Sequence, residues 1–236
     1  MKKLIIANWK MNMTSVDVVP FLEEIFPSVE ASNADIVIAP SFPLLSVVRG
    51  QLEKPLMLGA QDVSAFSKGA YTGDVAAEQL VDMRVKFAIV GHSERRAQHN
   101  ETNALCNEKM LRALEAGITP VYCIGESAEE KKNGETLAVV KKQLKEGLKN
   151  IDTSKVIVAY EPVWAIGTGV TPTAEEIETT HAAIRKIVGA HARILYGGSA
   201  NEKNAAEILH ITNVDGLLVG SASLNSHKFA SIIQTV

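Results

Sequence analysis

The sequence is poor in cysteine and has no long apolar run. Its two cysteines, Cys106 and Cys123, lack the paired spacing of a metal site, and two thiols in 236 residues argue against a disulfide framework. No apolar stretch approaches the roughly 20 residues that cross a bilayer. The short N-terminal apolar run is interrupted by Asn8 and Lys10, which argues against a signal peptide. A net charge of −3 argues against the basic surface of a nucleic-acid-binding protein. We therefore expect a reduced, cytoplasmic protein that binds neither membrane nor nucleic acid.

Short apolar runs and helical patterns alternate along the whole chain. Eight runs have the composition of buried strands: Leu4–Ala7, Ile36–Ala39, Leu56–Gly59, Phe87–Val90, Thr119–Ile124, Val156–Tyr160, Ile194–Tyr196 and Val214–Val219. Eight runs in 236 residues give about 30 residues per unit, the usual size of a βα repeat. Such alternation is typical of a parallel sheet, open or closed, and eight units favour the closed form. Since no linker-like segment divides the chain, we expect one domain over residues 1–236, a single (β/α)8 barrel with parallel strands.

Helix signals fill the intervals between these runs. Ser127 with Glu130 and Thr173 with Glu176 have the spacing of capping boxes, which predicts helix starts. The segment 137–148 carries leucine and valine at helical spacing, with lysine and glutamate on the opposite face. In a barrel of this kind the active site forms at the carboxyl ends of the strands. The residues that directly follow each run are therefore the candidates for chemistry.

A carboxylate, Glu161, directly follows the sixth run. Pro162 disfavours helical geometry at Glu161, so we interpret this side chain as a base on a stiff, extended backbone. Farther along, Gly167 and Gly169 permit close backbone approach to a ligand, or a hinge. The pattern predicts a base beside a glycine-rich lid.

Polar side chains also follow the first and fourth runs. Alternation places Asn8 and Lys10 on one side of the first strand. A lysine there can hold an anion or, as a neutral amine, form a Schiff base. His92 follows the fourth run ahead of a predicted helix, whose N–H groups and dipole disfavour a charged ring. We expect a neutral, proton-donating imidazole at His92.

Small residues after three strands predict a phosphate pocket. The turns are 167–169, 197–199 and 220–221, and the last two follow strands seven and eight, where barrel enzymes often bind phosphate through backbone N–H groups. No cluster of histidine, cysteine and aspartate has metal-ligand spacing, and no Walker-type loop is present. We therefore expect neither a metal nor another cofactor.

Five segments resemble the triosephosphate isomerase family in order and spacing. They are Asn8–Asn12, Gly91–Arg96, Cys123–Glu126, Tyr160–Gly169 and Tyr196–Ser199. The resemblance covers essentially the whole chain and implies the TIM barrel and interconversion of dihydroxyacetone phosphate and D-glyceraldehyde 3-phosphate, a step of glycolysis and gluconeogenesis. It implies that Glu161 is the base and His92 the neutral electrophile, with Lys10 and Asn8 stabilising the developing oxyanion.

The same resemblance implies supporting residues and a homodimer. The substrate phosphate would be held by the backbone N–H groups of Gly167, Ser199, Gly220 and Ser221. Two further residues, Ser93 and Glu94, would support His92 and Lys10. Segments 61–63 and 69–73 resemble the long third loop by which members of the family dimerise. Thr72 of that loop would approach the Asn8–Lys10 region of a second copy.

The chain also departs from the family's usual pattern. Ser221 replaces the second glycine after strand eight, and Val170-Thr171-Pro172 stands where Lys-Thr-Ala is usual. The segment after Arg96 lacks the usual Phe-Gly before Glu101. The first departure concerns phosphate geometry and the second concerns lid motion.

Two alternatives remain to be weighed against the isomerase. A Schiff-base sugar-phosphate aldolase on the same barrel would need a strand-end lysine, and here only Lys10 qualifies, whereas strand six carries a glutamate. A catalytically silent binding protein would be favoured by loss of Lys10, His92 or Glu161, and all three are present. The sequence favours the isomerase.

Overall fold

A closed barrel of eight parallel strands forms the centre of the molecule in a computed structural model that describes residues 1–52, 55–167 and 171–236. Each strand pairs with the next, and the last pairs with the first. The strands are β1 Leu4–Asn8, β2 Asp35–Ala39, β3 Met57–Ala60, β4 Phe87–Val90, β5 Thr119–Ile124, β6 Ile157–Tyr160, β7 Ile194–Tyr196 and β8 Gly216–Val219. The predicted fold, a single (β/α)8 TIM barrel, is confirmed.

Helices connect the strands around the outside of the barrel. In the described part of the chain they are α1 Ser15–Ala31, α2 Leu45–Gln51, α3 Ala77–Asp82, α4 Ser93–His99, α5 Asn103–Glu115, α6 Ala128–Lys132, α7 Thr136–Gly147, α8 Ala174–Val188, α9 Ala205–His210 and α10 Ser226–Ile233. Both predicted capping boxes are present, at the starts of α6 and α8. The largest error in a predicted strand boundary is at Val214, whose N–H bonds to the Ile211 carbonyl at 3.2 Å in a turn ahead of β8.

Alternation along the strands divides the core into two layers. Leu4 and Ile6 of β1 pack inside the barrel, whereas Ile5 and Ala7 pack outside it under the helices. Asn8 continues the inward series and is 5% exposed at the end of the strand. The register of β1 thus aims its last side chain into the mouth of the barrel.

Trp9, on the opposite side of the chain, fixes the start of the first βα unit. It is fully buried and packs edge-on against Phe21 of α1, with ring centroids 5.1 Å apart. Phe21 in turn stacks on Phe229 of α10 at 6.3 Å, so the first and last helices share one aromatic contact. Aromatic pairs in such arrangements add about 0.5–1.5 kcal/mol beyond their buried area.

Neither cysteine of the chain forms a disulfide bond. Cys106 and Cys123 are buried and unbridged. Among the residues described, no helix is both long enough and apolar enough to cross a membrane.

A buried histidine, His181 of α8, lies behind the barrel wall. It is 0% exposed, and its Nδ1 lies 3.0 Å from the carbonyl oxygen of Asn213, which can only accept a hydrogen bond. The ring packs between Tyr160 and Tyr196, with centroids 5.8 and 6.5 Å away. Burial lowers the pKa of His181 from 6.5 to about 4, so the folded protein holds this ring neutral.

Neutral His181 predicts loss of stability in mild acid. Because the folded pKa of about 4 lies below 6.5, the unfolded chain binds a proton between these values while the folded chain does not. Stability therefore falls as pH drops through this window, by about 2 kcal/mol between pH 7 and pH 5. In urea unfolding at both pH values, His181→Gln, which keeps a donor for Asn213, should lose about 2 kcal/mol less than the unmodified protein. His210→Gln, at an exposed histidine of α9, should behave like the unmodified protein. Equal losses in all three proteins would contradict the assignment.

Candidate active site

A cleft of about 290 Å³ opens at the carboxyl ends of the strands. The residues that line it come from loops after β1, β4, β6, β7 and β8: Asn8, Lys10, Asn12, His92, Glu161, Ile166, Gly167, Gly197, Gly198, Ser199, Ala200, Leu218, Gly220, Ser221 and Leu224. All eight residues predicted for catalysis and phosphate binding are among them. Closure of the barrel has brought together residues from both ends of the sequence.

Glu161 is held rigidly at the rim directly after β6. Its backbone N–H donates to the Ile124 carbonyl at 2.7 Å, and Pro162 follows with φ −65°. The side chain is 2% exposed, and Oε2 accepts the backbone N–H of Ser93 at 2.9 Å. Oε1 lies 3.0 Å from Nε2 of His92 but makes no aligned hydrogen bond with any described residue. A buried carboxylate oxygen without a hydrogen-bond donor is uncommon in folded proteins.

His92 is the N-cap of α4 and is 6% exposed. Its Nδ1 accepts the backbone N–H of Glu94 at 3.3 Å, so this nitrogen offers a lone pair and the neutral ring carries its proton on Nε2. The Glu94 carboxylate lies 3.7 Å from Nδ1, which is beyond a hydrogen bond. Nε2, the other ring nitrogen, lies on the side of Glu161 and lines the cleft.

Lys10 lines the same cleft and has a left-handed backbone conformation, with φ 51°. Its Nζ lies 2.6 Å from Oε1 of Glu94, and its N–H donates to Oδ1 of Asn8 at 3.1 Å. Gln61 holds the Lys10 carbonyl at 2.9 Å. A left-handed non-glycine residue costs on the order of 1–3 kcal/mol, and such strain clusters at functional sites. One contact thus holds the ammonium group, and two hold the backbone of Lys10.

The predicted phosphate side of the cleft consists of small residues and a helix start. Ser199 donates its hydroxyl to the Ala165 carbonyl at 2.6 Å, and its own carbonyl accepts from Asn204 at 2.9 Å. Gly220 precedes a 3-10 helix, Ser221–Leu224, whose first N–H groups lack acceptors within the helix. Ser221 is not in the left-handed region, so replacing the family's glycine by serine introduces no backbone strain.

The predicted lid is described at its two ends. Trp164 donates Nε1 to the buried carboxylate of Glu126 at 2.8 Å, and Tyr160 donates to the same carboxylate at 3.2 Å. Burial, with Glu126 nearby, raises the pKa of Tyr160, so its hydroxyl is a donor. Trp164 therefore anchors this end of the segment, whereas Val163 is 38% exposed.

Three residues of the lid fall outside the described part of the chain. They are Thr168, Gly169 and Val170, and so the predicted hinge departure is described only at Thr171 and Pro172. Pro172 is buried and Thr171 is exposed. In the part of the chain that the structure describes, no three histidine, cysteine, aspartate or glutamate side chains could hold a metal ion together.

Sequence reasoning missed the apolar residues of the cleft, among them Ile166 and Leu218, and the role of one glycine. Ile166 and Leu218 supply apolar walls of the cleft, and Leu218 was recoverable because it belongs to the inward-facing series of β8. A Cβ on Gly197 would lie 2.9 Å from Cγ of Glu161. Gly197 is therefore required by the position of the carboxylate side chain, a contact that no sequence spacing reveals.

Comparison with known proteins gives one consistent result. The sequence model described as triosephosphate isomerase matches residues 3–236. A protein named triosephosphate isomerase from Thermus thermophilus is 42% identical, with 99% of both chains aligned. One of the same name from Paracidovorax citrulli is 46% identical over 98% of this chain and 97% of its own, and one from Dehalococcoides mccartyi strain BAV1 is 43% identical over 98% and 96%.

Packing around Glu161 predicts that Gly197→Ala destabilises the fold. The new methyl group would stand 2.9 Å from Cγ of Glu161 and 3.3 Å from the Tyr160 carbonyl, so the neighbours must move. We expect a loss of about 1–3 kcal/mol in the free energy of unfolding measured in urea. Gly50→Ala is the control, because a Cβ there meets nothing within 4 Å, and it should be neutral or slightly stabilising. Unchanged stability of Gly197→Ala would show that the Glu161 side chain can move away from the new methyl group without a measurable cost in free energy.

Proposed function

Because this chain belongs to the triosephosphate isomerase family, we propose that it interconverts dihydroxyacetone phosphate and D-glyceraldehyde 3-phosphate, in glycolysis and gluconeogenesis. The observation that carries the proposal is the free Oε1 of Glu161, 3.0 Å from Nε2 of His92 in a cleft of about 290 Å³. A base and a proton donor side by side suit proton transfer next to a carbonyl group.

In the first step Glu161 takes a proton from the carbon beside the substrate carbonyl. The bonding electrons form a carbon–carbon double bond, and negative charge develops on the carbonyl oxygen. His92 donates Nε2–H to that oxygen, while Lys10 and Asn8 stabilise the charge. Glu161 then returns its proton to the neighbouring carbon, and the hydroxyl proton moves between the two oxygens beside His92. Atoms and charge balance without a cofactor.

Supporting residues position these groups and the phosphate. The backbone N–H of Ser93 holds Oε2 of Glu161. Glu94 contacts His92 through its backbone N–H and Lys10 through its carboxylate. On the opposite side of the cleft, backbone N–H groups hold the phosphate dianion; they belong to Gly167, Ser199, Gly220 and Ser221. The start of a 3-10 helix at Ser221 adds favourable partial charge.

The aldolase alternative finds no support at Lys10. A Schiff base requires a neutral amine, whereas Nζ of Lys10 lies 2.6 Å from a Glu94 oxygen in the geometry of an ion pair. The carboxylate after β6 also has the position of a base rather than of a nucleophilic amine.

The chain further works as a homodimer of one-domain subunits in the cytoplasm. The loop between β3 and α3 is closed by its own hydrogen bonds, such as that of the Ser64 hydroxyl to Asp74 at 2.6 Å. Its tip exposes Thr72 and the stacked rings of Phe66 and Tyr71, whose centroids are 3.7 Å apart. A rigid loop with exposed aromatic residues is suited to insertion into a partner.

The matching receptor on a second copy is a cavity of about 460 Å³ beside the active site. Lys10, His92 and Glu94 line it together with Met11, which is 95% exposed. Insertion of Thr72 there would cover Met11 and support the Lys10 segment. A further cavity, of about 540 Å³, is lined by residues of the loop and of α3 and contains neither Glu161 nor His92.

Glu161→Gln should leave the fold intact and remove most isomerase activity. The amide oxygen can still accept the Ser93 N–H, but the side chain cannot accept a carbon-bound proton. We expect kcat with glyceraldehyde 3-phosphate to fall by at least roughly 10²–10⁴-fold in a coupled assay without metal or nucleotide. Glu178→Gln, at an exposed position of α8, is the control and should be unaffected. A folded Glu161→Gln variant with near-normal turnover would remove Glu161 from the mechanism.

Charged residues at the loop tip should give poorly active monomers. The double variant Tyr71→Asp, Thr72→Glu removes the exposed Tyr71 ring and places two carboxylates where the loop would enter the cavity beside Met11 and Glu94, and burial of charge is costly. Sedimentation should show monomers, and kcat should fall by at least about tenfold because the Lys10 segment loses its support. Thr179→Glu on exposed α8 should remain dimeric and active. Fully active monomers would show that the loop does not support catalysis.

A further inference from the structure

Arg96, in α4, lies behind the candidate active site without lining the cleft. Its guanidinium group makes four hydrogen bonds: Nε to the Gly91 carbonyl at 2.8 Å, Nη1 to Oδ1 of Asn103 at 2.8 Å, and Nη2 to the Tyr122 hydroxyl at 3.3 Å and the Cys123 carbonyl at 3.1 Å. These acceptors belong to the ends of β4 and β5 and to the start of α5. One side chain therefore joins three elements at the rim of the barrel.

Arg96 also holds the backbone on both sides of His92. Its own N–H donates to the His92 carbonyl at 3.0 Å, while its side chain donates to the Gly91 carbonyl. Consecutive carbonyls that flank His92 are thus fixed by one residue. Among the described residues, the one hydrogen bond to the ring of His92 is the 3.3 Å bond from the Glu94 N–H, so the direction of the ring also depends on this backbone.

Gly91 leaves room for the guanidinium group. It has φ 71°, in the left-handed region, and a Cβ there would lie 2.7 Å from Sγ of Cys106 and 3.0 Å from Nη2 of Arg96. A side chain at this position would push the guanidinium group away from the strand end. The residue directly before His92 is therefore fitted to Arg96.

A second branch of the network leads from Arg96 to Glu161. The Tyr122 hydroxyl donates to the Gln143 carbonyl at 2.9 Å, and the Gln143 side chain makes two hydrogen bonds with Gly125, at 2.8 and 3.1 Å. A Cβ on Gly125 would overlap the Glu161 carbonyl at 1.7 Å, so these backbones are in close contact. Both reacting residues are thus connected to the same guanidinium group.

The guanidinium group of Arg96 makes hydrogen bonds to neutral groups rather than ion pairs. Among the described residues, none of its partners is a carboxylate. Burial raises the pKa of the nearby Cys106 thiol to about 11, so that group is uncharged as well. What the site gains from Arg96 is a planar group with several fixed donors, which a lysine cannot imitate.

We propose that Arg96 is a positioning residue for the reaction, which sets the backbone of Gly91 and His92 and thereby the alignment of His92 with Glu161. The inference rests on the proposed isomerase function. In the described part of the chain, Arg96 makes no hydrogen bond to Ser199, Gly220 or Ser221, so we expect its effect on kcat rather than on substrate affinity.

The test compares Arg96→Met and Arg96→Lys with Arg112→Met, which removes an arginine of α5 whose one ion pair in the described part of the chain is with Glu115. In each Arg96 variant kcat should fall by roughly 100-fold, the effect of a misplacement of about 1 Å. KM and inhibition by inorganic phosphate should stay within about threefold of the unmodified enzyme. The kcat of Arg96→Lys should exceed that of Arg96→Met by less than about tenfold, because lysine restores the positive charge without the planar set of N–H donors. Arg112→Met should be unchanged.

A second readout does not require activity. In protein with nitrogen-15-labelled histidine, the ring signals of His92 should shift in both Arg96 variants and stay in place in Arg112→Met. If the unmodified protein fails to isomerise, the proposed function fails and these signals alone decide the positioning role. Unshifted His92 signals, a folded Arg96→Met with kcat within about threefold of normal, or equal losses in kcat and phosphate affinity would each overturn the proposal. If Arg96→Met does not fold, Arg96→Lys is judged by the same criteria.

Discussion

Pairing of the first strand with the last is the contact on which the cleft depends. Leu4–Ala7 pairs in parallel with Gly216–Val219 and closes the barrel. Lys10, just beyond β1, therefore lies against the turn after β8, where a Cβ on Gly220 would be 3.3 Å from its Cε. In an open sheet the first and last strands would face solvent at opposite edges. Closure places the side chains of Lys10, His92 and Glu161 around one small space.

Burial of Glu161 has a cost that its neighbours offset only in part. A desolvated carboxylate is stabilised by hydrogen bonds to its charged form, and here Ser93 supplies one to Oε2. Oε1 has no such bond, although the imidazole nitrogen of His92 is 3.0 Å away. The half-satisfied group is a local loss of stability at the carboxylate that we propose as the base. Satisfied buried groups such as the Glu126 carboxylate, which accepts from Tyr160 and Trp164, lie farther back in the structure.

Sequence patterns predicted the strand ends well because inward and outward positions alternate with a fixed period. Glu161, His92 and Lys10 each follow an apolar run, so the barrel rule alone placed them at one rim. Contacts between distant side chains obey no period. Arg96 reaches Asn103 and Tyr122, and nothing in their spacing distinguishes these partners from other polar residues. Close approach of backbones at glycines was invisible for the same reason.

Helix α4 shows why such polar contacts matter to the site. It has seven residues, none of them buried, and so apolar packing cannot fix its position. Its two arginines hold it from opposite sides instead. Arg95 bonds to Glu101 at 2.5 Å and pairs with Asp62 at 2.8 Å beyond β3, while Arg96 bonds to the ends of β4 and β5. The hydrogen bonds of these arginines to carboxylate and carbonyl oxygens are directional, whereas apolar contacts are not. A helix that begins with His92 is thus held by the kind of interaction that specifies orientation.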